Sequence, residues 1–506
     1  MMRAARFAGV ALVVFAALLV VVEWLRQHGF VAAAVVRDWG EVVLYGDGRG
    51  SFRELATAYP PIAFALGVLT GVPIRHVSSI APPAVTAALL ASLLAAHWAM
   101  ALRSAGYGRW WSLVLTALVC LHPFFLYLAT TGVGAVLLLV AVYWFASAYC
   151  GSSIRGRVTD FMNLAFALAF TAFVHPLGAL ICVLALPFLA RALPPALIAR
   201  SALNSMLVLL FPLLFAIASF AYENALFDDG TAALPRRLFG RFATDVRASS
   251  AFIGVHPGLV GWASVVGIAG LTLIAAMFAA LAPAVLRWRE GQGTARPVAT
   301  LAAIATLAVA AVWVVTVMRG DTANPSVLFE MAAPFVALVV VAARHWPLRP
   351  QRRLATAGVL LTGVVLGWSA LFLWRSGDPM RWREAVMGTS VTDEQNAGAA
   401  ALGHYLAARA DVLIDASAHP EVLAARGSVR GLVVSTDEAF VLTTLTRQIH
   451  CRFIAIPDPD RLATLGDDQL AQTFPELYEH GLPGYRLTYD AYGWRVYERN
   501  DARNPV

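Results

Sequence analysis

Apolar runs of bilayer length constrain this chain more than any other feature. Residues 77–102 contain no charged residue, and residues 7–25 contain one, Glu23. A helix needs ~20 consecutive apolar residues to cross the hydrocarbon core. Comparable runs recur through most of the first 374 residues. They are continuous and not alternating, so they predict helices and not barrel strands. Composition agrees: 59% of the 506 residues are apolar and 14% are charged, where a soluble protein carries roughly 25% charge. The expected class is a polytopic α-helical membrane protein.

Flanking arginines orient the runs. Arg3 and Arg6 precede the first one and hold the N-terminus in the cytoplasm. No small-residue cleavage site follows before Glu23-Trp24, so this run reads as a retained span. Further spans are read at 77–102, 110–128, 133–149, 161–173, 177–189, 202–220, 259–286, 298–318, 327–343 and 354–374. Residues 59–72 are apolar but too few to cross, and read as a re-entrant or interfacial segment. The expectation is about eleven spans plus that segment, with every short cytoplasmic turn carrying Arg.

Charge is divided unevenly. Residues 1–374 hold 25 Arg against 13 acidic residues, and residues 375–506 hold 13 Arg against 18. The basic excess therefore lies in the membrane part and reads as cytoplasmic flanks, with no nucleic-acid partner expected. All 38 basic residues are Arg, so any phosphate contact must use Arg. The four cysteines, Cys120, Cys150, Cys182 and Cys451, have no metal-ligand spacing.

Residues 375–506 are a different material. Short apolar strand runs at 411–415, 431–435 and 452–457 alternate with helical stretches at 393–410, 420–425 and 437–448. Two further strand runs flank Asp490-Ala-Tyr and predict a hairpin. This pattern predicts a small extracytoplasmic α/β domain with its own core. The domain reading is thus 1–374 for the membrane part and 375–506 for the soluble part.

The densest group of acids in the membrane part lies in the first outer loop, residues 26–58. Asp38, Glu41, Asp47 and Glu54 fall within seventeen residues there. A short helix at 30–36 is expected to deliver Asp38 to the membrane surface. Ionisable groups at such a depth are costly and tend to be functional. Glu41, three residues on, shares a face with Asp38 if the segment is helical. Asp47 sits in Gly-Asp-Gly, a turn signature that explains it without function. Tyr59-Pro60-Pro61-Ile62 stops one helix and starts another. His122 and His175 each precede Pro at a helix end and read as satisfied structural histidines.

An acidic residue soon after the first span, an aromatic-Pro-Pro-aliphatic run about twenty residues later, many spans, and an α/β tail together resemble the GT-C glycosyltransferases. Within them the chain is most similar to the bacterial branch related to dolichyl-phosphate-mannose–protein mannosyltransferases and lipid A aminoarabinose transferases. Asp38 and Tyr59-Pro60-Pro61-Ile62 carry the resemblance, supported by His122-Pro123-Phe124 and by the Gly493-Trp-Arg-Val-Tyr ending. It implies a polyprenyl-phosphate-linked sugar as donor and a lipid, glycan or protein of the cell envelope as acceptor. It also implies transfer at the outer face of a bacterial plasma membrane, with the tail periplasmic.

By the same resemblance Asp38 is the catalytic base, with Glu41 beside it. Asp47, Tyr59, Arg236, Arg237, Arg241, Arg247 and Arg319 are candidates for holding substrate, the arginines facing the lipid phosphate. Many relatives carry a second acid in the next outer loop, whereas residues 127–135 here contain none. Neither a metal nor another cofactor is therefore expected. A non-catalytic scaffold, transporter or flippase component for envelope glycans is the alternative.

Overall fold

A computed structural model describes residues 2–76, 80–193, 195–227, 295–318, 333–344, 350–373, 377–392, 394–458 and 468–500. Contacts divide the chain into two units. The first comprises Met1–Gln27, Ala56–Phe64 and Ala84–Thr389, and the second His28–Leu55, Ala65–Pro83 and Ser390–Val506.

The first unit is helical. In chain order its elements begin with α1 (Met2–Gln27). Three helices come next in sequence: α2 (Ala33–Gly46), which belongs to the second unit, and α3 (Phe52–Thr57) and α4 (Pro61–Ile74), each divided between the two units. Then follow α5 (Pro82–Ser104), α6 (Arg109–Cys120), α7 (Pro123–Thr130), α8 (Val133–Arg155), α9 (Val158–Val174) and α10 (Pro176–Leu189). The series closes with α11 (Pro195–Phe227), α12 (Ala295–Met318), α13 (Ala333–Arg344), α14 (Pro350–Leu373) and α15 (Gly377–Val386). Helix α8 is largely apolar and packs against α9, α12 and α13. Of its most apolar 18-residue stretch 78% is buried, against 17% for α1 and for the apolar part of α11. Helix α8 is thus the interior of the bundle, while α1 and α11 turn apolar side chains outward, as helices bathed by lipid do.

Among the described residues, four helices are long and apolar enough to cross a membrane: Ala4–Gln27, Pro82–Ser104, Val133–Arg155 and Ser201–Phe227. They become five if α6 and α7, bent by 69° at their junction, make one span. Six other apolar helices are shorter, at 10–17 residues. The run expected at 259–286 lies outside the described residues. The sequence-read segment 59–72 forms the 14-residue α4, again shorter than a span.

His122-Pro123 and His175-Pro176 each start a helix. Each histidine is the N-cap, and its Nδ1 accepts the backbone N–H two residues on: Phe124 to His122 at 3.3 Å, and Leu177 to His175 at 3.1 Å. Proline then occupies the first helical position, where no N–H is needed. At the α9–α10 junction the chain turns back tightly. A Cβ at Gly178 would lie 2.0 Å from the Thr171 carbonyl oxygen, so only glycine fits. Past α14, Trp382 of α15 is fully buried and donates to Thr130 Oγ1 at 3.0 Å.

The second unit is α/β. Its helices are α16 (Glu394–Leu406), α17 (Pro420–Arg426), α18 (Glu438–Thr446), α19 (Gln469–Thr473) and α20 (Leu477–His480). Its strands are β1 (Val412–Leu413), β2 (Leu432–Val433), β3 (Phe453–Pro457), β4 (Tyr485–Ala491) and β5 (Trp494–Arg499), in the order β2-β1-β3-β5-β4. The first three strands are parallel, and β4–β5 is an antiparallel hairpin. Tyr492 and Gly493 at its tip have φ of 54° and 76°, the positive values that a type I′ hairpin turn requires. Alternation along the strands builds two cores. Val412, Ile414, Phe453 and Val496 face one, and Leu413, Ile454, Ile456 and Tyr497 face the other.

Helix α2 belongs to the first of these cores. Val43 and Leu44 pack with Leu402, Val422 and Trp494. A Cβ on Gly40 would lie 2.1 Å from the Pro420 carbonyl oxygen, so α2 and α17 meet backbone to backbone. At its start, Val391 N–H donates to the His28 carbonyl at 2.9 Å. The first loop is therefore built into the same compact unit as the C-terminal α/β residues.

Candidate functional site

Asp38 and Glu41 both lie on α2. The helix expected at 30–36 instead runs over Ala33–Gly46, because the apolar pattern continues through Val42, Val43 and Leu44. At 3.6 residues per turn, two positions three apart are separated by about 60° around the helix axis. Val35, Gly40, Val42, Val43 and Leu44 are buried, and Asp38 and Glu41 lie on the opposite, half-buried side. Two carboxylates thus share one face of a helix whose other face is anchored in a packed core.

The C-terminal end of α2 is fastened by charge. Arg75, just beyond α4, donates from Nη2 to the Gly46 carbonyl at 2.7 Å and to Asp47 Oδ1 at 3.0 Å. It thereby satisfies one of the carbonyls that every helix end leaves without an intrahelical donor, and its charge complements the negative helix terminus. Asp47 Oδ2 accepts from Ser428 Oγ at 2.7 Å and from the Val429 N–H at 2.9 Å. Burial works against ionisation of Asp47, but the Ser428, Val429 and Arg75 donors outweigh it and lower its pKa. Arg49, two residues after Asp47, pairs with Asp437, and Thr436 Oγ1 donates to the Arg49 carbonyl at 2.9 Å.

Asp47, read as a turn residue or substrate contact, has both carboxylate oxygens engaged by donors of its own unit. Tyr59 is in the first unit, 5% exposed, with its hydroxyl donating to the Ala172 carbonyl at 2.8 Å and its ring against Phe220. Arg236, Arg237, Arg241, Arg247 and Arg319 lie outside the described residues. Asp38, Glu41 and Asp47 are therefore brought onto one helix and its cap, while Tyr59 is a packing residue of the other unit.

Sequence reasoning missed a buried polar cluster in the α/β unit. His419 is fully buried, and its Nε2 lies 2.9 Å from Asp468 Oδ2. Its Nδ1 lies 3.4 Å from Glu421 Oε1, and its ring sits edge-on to Trp494 at 4.8 Å. Asp468 also caps α19, accepting the Ala471 N–H at 2.8 Å. Asp415, 2% exposed, accepts the N–H groups of Ser417, Ala418 and Gln469. Burial opposes charge on His419, but the Asp468 and Glu421 carboxylates prevail and push its pKa up to about 9. Burial, and then the nearby Asp468 charge, raise the pKa of Asp415. The His-Pro-Glu run at 419–421 was the one available signal, but Asp468 arrives from 49 residues away. With its members nearly inaccessible, this cluster locks β1, α17 and α19 together.

Among the described residues, no group of three or more His, Cys, Asp or Glu is arranged to hold a metal ion. No model of a known protein family matches the chain, and no curated protein matches it either.

Proposed function

We propose that this protein is an integral-membrane glycosyltransferase. It moves a sugar from a polyprenyl phosphate to a hydroxyl of a cell-envelope acceptor on the outer face of a bacterial plasma membrane. In this reading the chain crosses the membrane about eleven times, its N-terminus is cytoplasmic, and the α/β unit is extracytoplasmic.

The observation that carries the proposal is the pairing of Asp38 and Glu41 on one half-buried face of α2, with the opposite face anchored through Val43, Leu44 and Gly40. A base must be held in a fixed geometry to act, and a helix set in a packed core does this better than a loop. In the reaction the acceptor oxygen attacks the anomeric carbon. The bond from that carbon to the phosphate oxygen breaks, and the phosphate leaves on the polyprenyl chain with the electron pair. The acceptor proton passes to the Asp38 carboxylate, and Glu41 holds the acceptor hydroxyl.

The test is a profile of lipid-linked sugars and envelope glycans in cells with and without the gene. Deletion should remove one glycan or glycolipid species and accumulate its polyprenyl-phosphate-linked sugar. The missing species would name the product. Identical profiles would count against a transferase, and loss of the species without donor accumulation would favour a scaffold.

A further inference from the structure

A cavity of about 450 Å³ opens within the first unit, at the ends of α8 and α13 that carry Arg155 and Arg344. Its size falls within the range of small-molecule sites, roughly 300–1,000 Å³. Leu93, Leu94, Val140 and Trp144 form one wall. Leu93 and Trp144 are more than a third exposed, so this wall opens at the outer surface of the bundle.

The other wall is polar. It contains Tyr143, Ser147 and Arg344, with the Arg155–Asp160 ion pair at its edge. Arg155 and Asp160 satisfy each other through two contacts, at 2.5 and 3.0 Å. Arg344 has no carboxylate within ion-pair distance among the described residues. Tyr143 is 4% exposed, and its hydroxyl, like that of Ser147, is buried and makes no well-aligned hydrogen bond among the described residues. Ser147 and Arg344 both lie within hydrogen-bonding reach of the Tyr143 oxygen. Two buried hydroxyls and a guanidinium that meets no carboxylate among the described residues thus converge on this wall, and together they offer several donors to one ligand.

A group that satisfies all three must offer several acceptor oxygens and a negative charge, which is the description of a phosphate. The apolar wall, open to the surroundings of a membrane helix, calls for an attached hydrocarbon chain. We infer that this cavity binds the phosphate headgroup of an anionic phospholipid, held by Arg344, Tyr143 and Ser147, with an acyl chain along Leu93, Leu94, Val140 and Trp144. Arginine-rich helix ends mark the cytoplasmic side by the positive-inside rule, and basic pockets between membrane helices on that side suit anionic headgroups. The site is independent of the α2 carboxylates, so it stands or falls apart from the transferase reading.

The test uses the full-length protein purified in detergent. Phosphatidylglycerol, phosphatidylcholine and inorganic phosphate are titrated separately, with bound lipid counted by native mass spectrometry and unfolding followed thermally. Phosphatidylglycerol should bind and raise the unfolding temperature, and phosphatidylcholine should not. Arg344→Gln should weaken phosphatidylglycerol binding about fivefold, the loss expected for one interfacial arginine. Tyr143→Phe and Ser147→Ala, which barely change shape, should each weaken it as well. Arg109→Gln removes an exposed arginine that stacks near Trp110 outside the cavity, and should leave binding unchanged. Equal loss in Arg109→Gln and Arg344→Gln would mean non-specific attraction and overturn the site. So would stabilisation by inorganic phosphate with none by phosphatidylglycerol, or unchanged binding in all three cavity variants.

Discussion

His419 carries its charge where water cannot reach it, and that sets a pH dependence for the α/β unit. Its folded pKa of about 9 lies above the ordinary value of about 6.5. The stabilisation is fully present below about pH 6.5 and is lost as pH rises through 9. At about 1.4 kcal/mol per unit the full span is worth about 3 kcal/mol. The raised pKa of Asp415 acts in the same direction at lower pH, since a buried carboxyl that resists ionisation also loses stability as pH rises. Hydrogen-exchange protection of β1 and β5 in the full chain, corrected for intrinsic rates, should fall between pH 7 and 9. His419→Gln should flatten that fall while costing about 3–5 kcal/mol, because Asp468 is left as a buried unpaired charge. An unchanged pH profile in His419→Gln would show that the ring is not the titrating group.

Asp47 shows the opposite sign. Its lowered pKa gives stability that is present above its ordinary value near 3.9 and disappears as pH falls through the folded value. Asp47→Asn removes the charge that Arg75 meets and one of the acceptors for Ser428 and Val429. A loss of about 1–3 kcal/mol is expected, read as faster exchange in α2 and in residues 428–429. Asp47 read as a turn residue from Gly-Asp-Gly, and the helix does end there. That Ser428 and Val429 would reach its carboxylate from 381 and 382 residues away was not legible in any local pattern.

At the scale of elements, what the sequence exposed were local events. His-Pro at 122–123 and 175–176 announced helix starts, because the proline needs no donor and the imidazole can cap. The β4–β5 hairpin followed from two strand runs around a short turn, and its tip at Tyr492-Gly493 overlaps the expected Asp490-Ala-Tyr turn at Tyr492. Helix α2 was read too short because its acids were taken to mark a loop, whereas they occupy one face of a helix buried on the other. Helix α17 was read at 420–425, but its pairing with α2 was hidden for the same reason as Asp468, since a helix face does not name what it packs on. Gly40 now gives that contact a test. Gly40→Ala should destabilise α2 and α17, since its Cβ would meet backbone at 2.1 Å and overpacking of about 1–3 kcal/mol exceeds the helix gain of about 1 kcal/mol. Gly67→Ala in α4, whose Cβ would meet nothing within 4 Å, should be neutral or stabilising. Equal effects of the two substitutions on unfolding would show that α2 and α17 do not meet so closely.

For the whole molecule, a bundle of apolar helices and a five-stranded α/β unit were both legible, because hydropathy and strand–helix alternation are carried by composition over long windows. The number of crossings was less so: among the described residues four or five helices are long and apolar enough to cross, and six other apolar stretches are shorter. The candidate site was legible as a set of acids but not as an arrangement. In the proposed reaction α2 is a rigid carrier that presents Asp38 as the base, and general bases of this kind contribute about 10²–10⁴-fold in rate.

The most direct test compares Asp38→Asn with wild type and with Asp47→Asn at equal membrane abundance, following the glycan or glycolipid species that deletion of the gene removes. Asp38→Asn keeps the shape of the side chain and removes only its capacity to take a proton. The account predicts a loss of at least about a hundredfold in product for Asp38→Asn, with exchange protection in α2 unchanged, and substantial product from Asp47→Asn despite its weaker α2. Wild-type product from Asp38→Asn would contradict it.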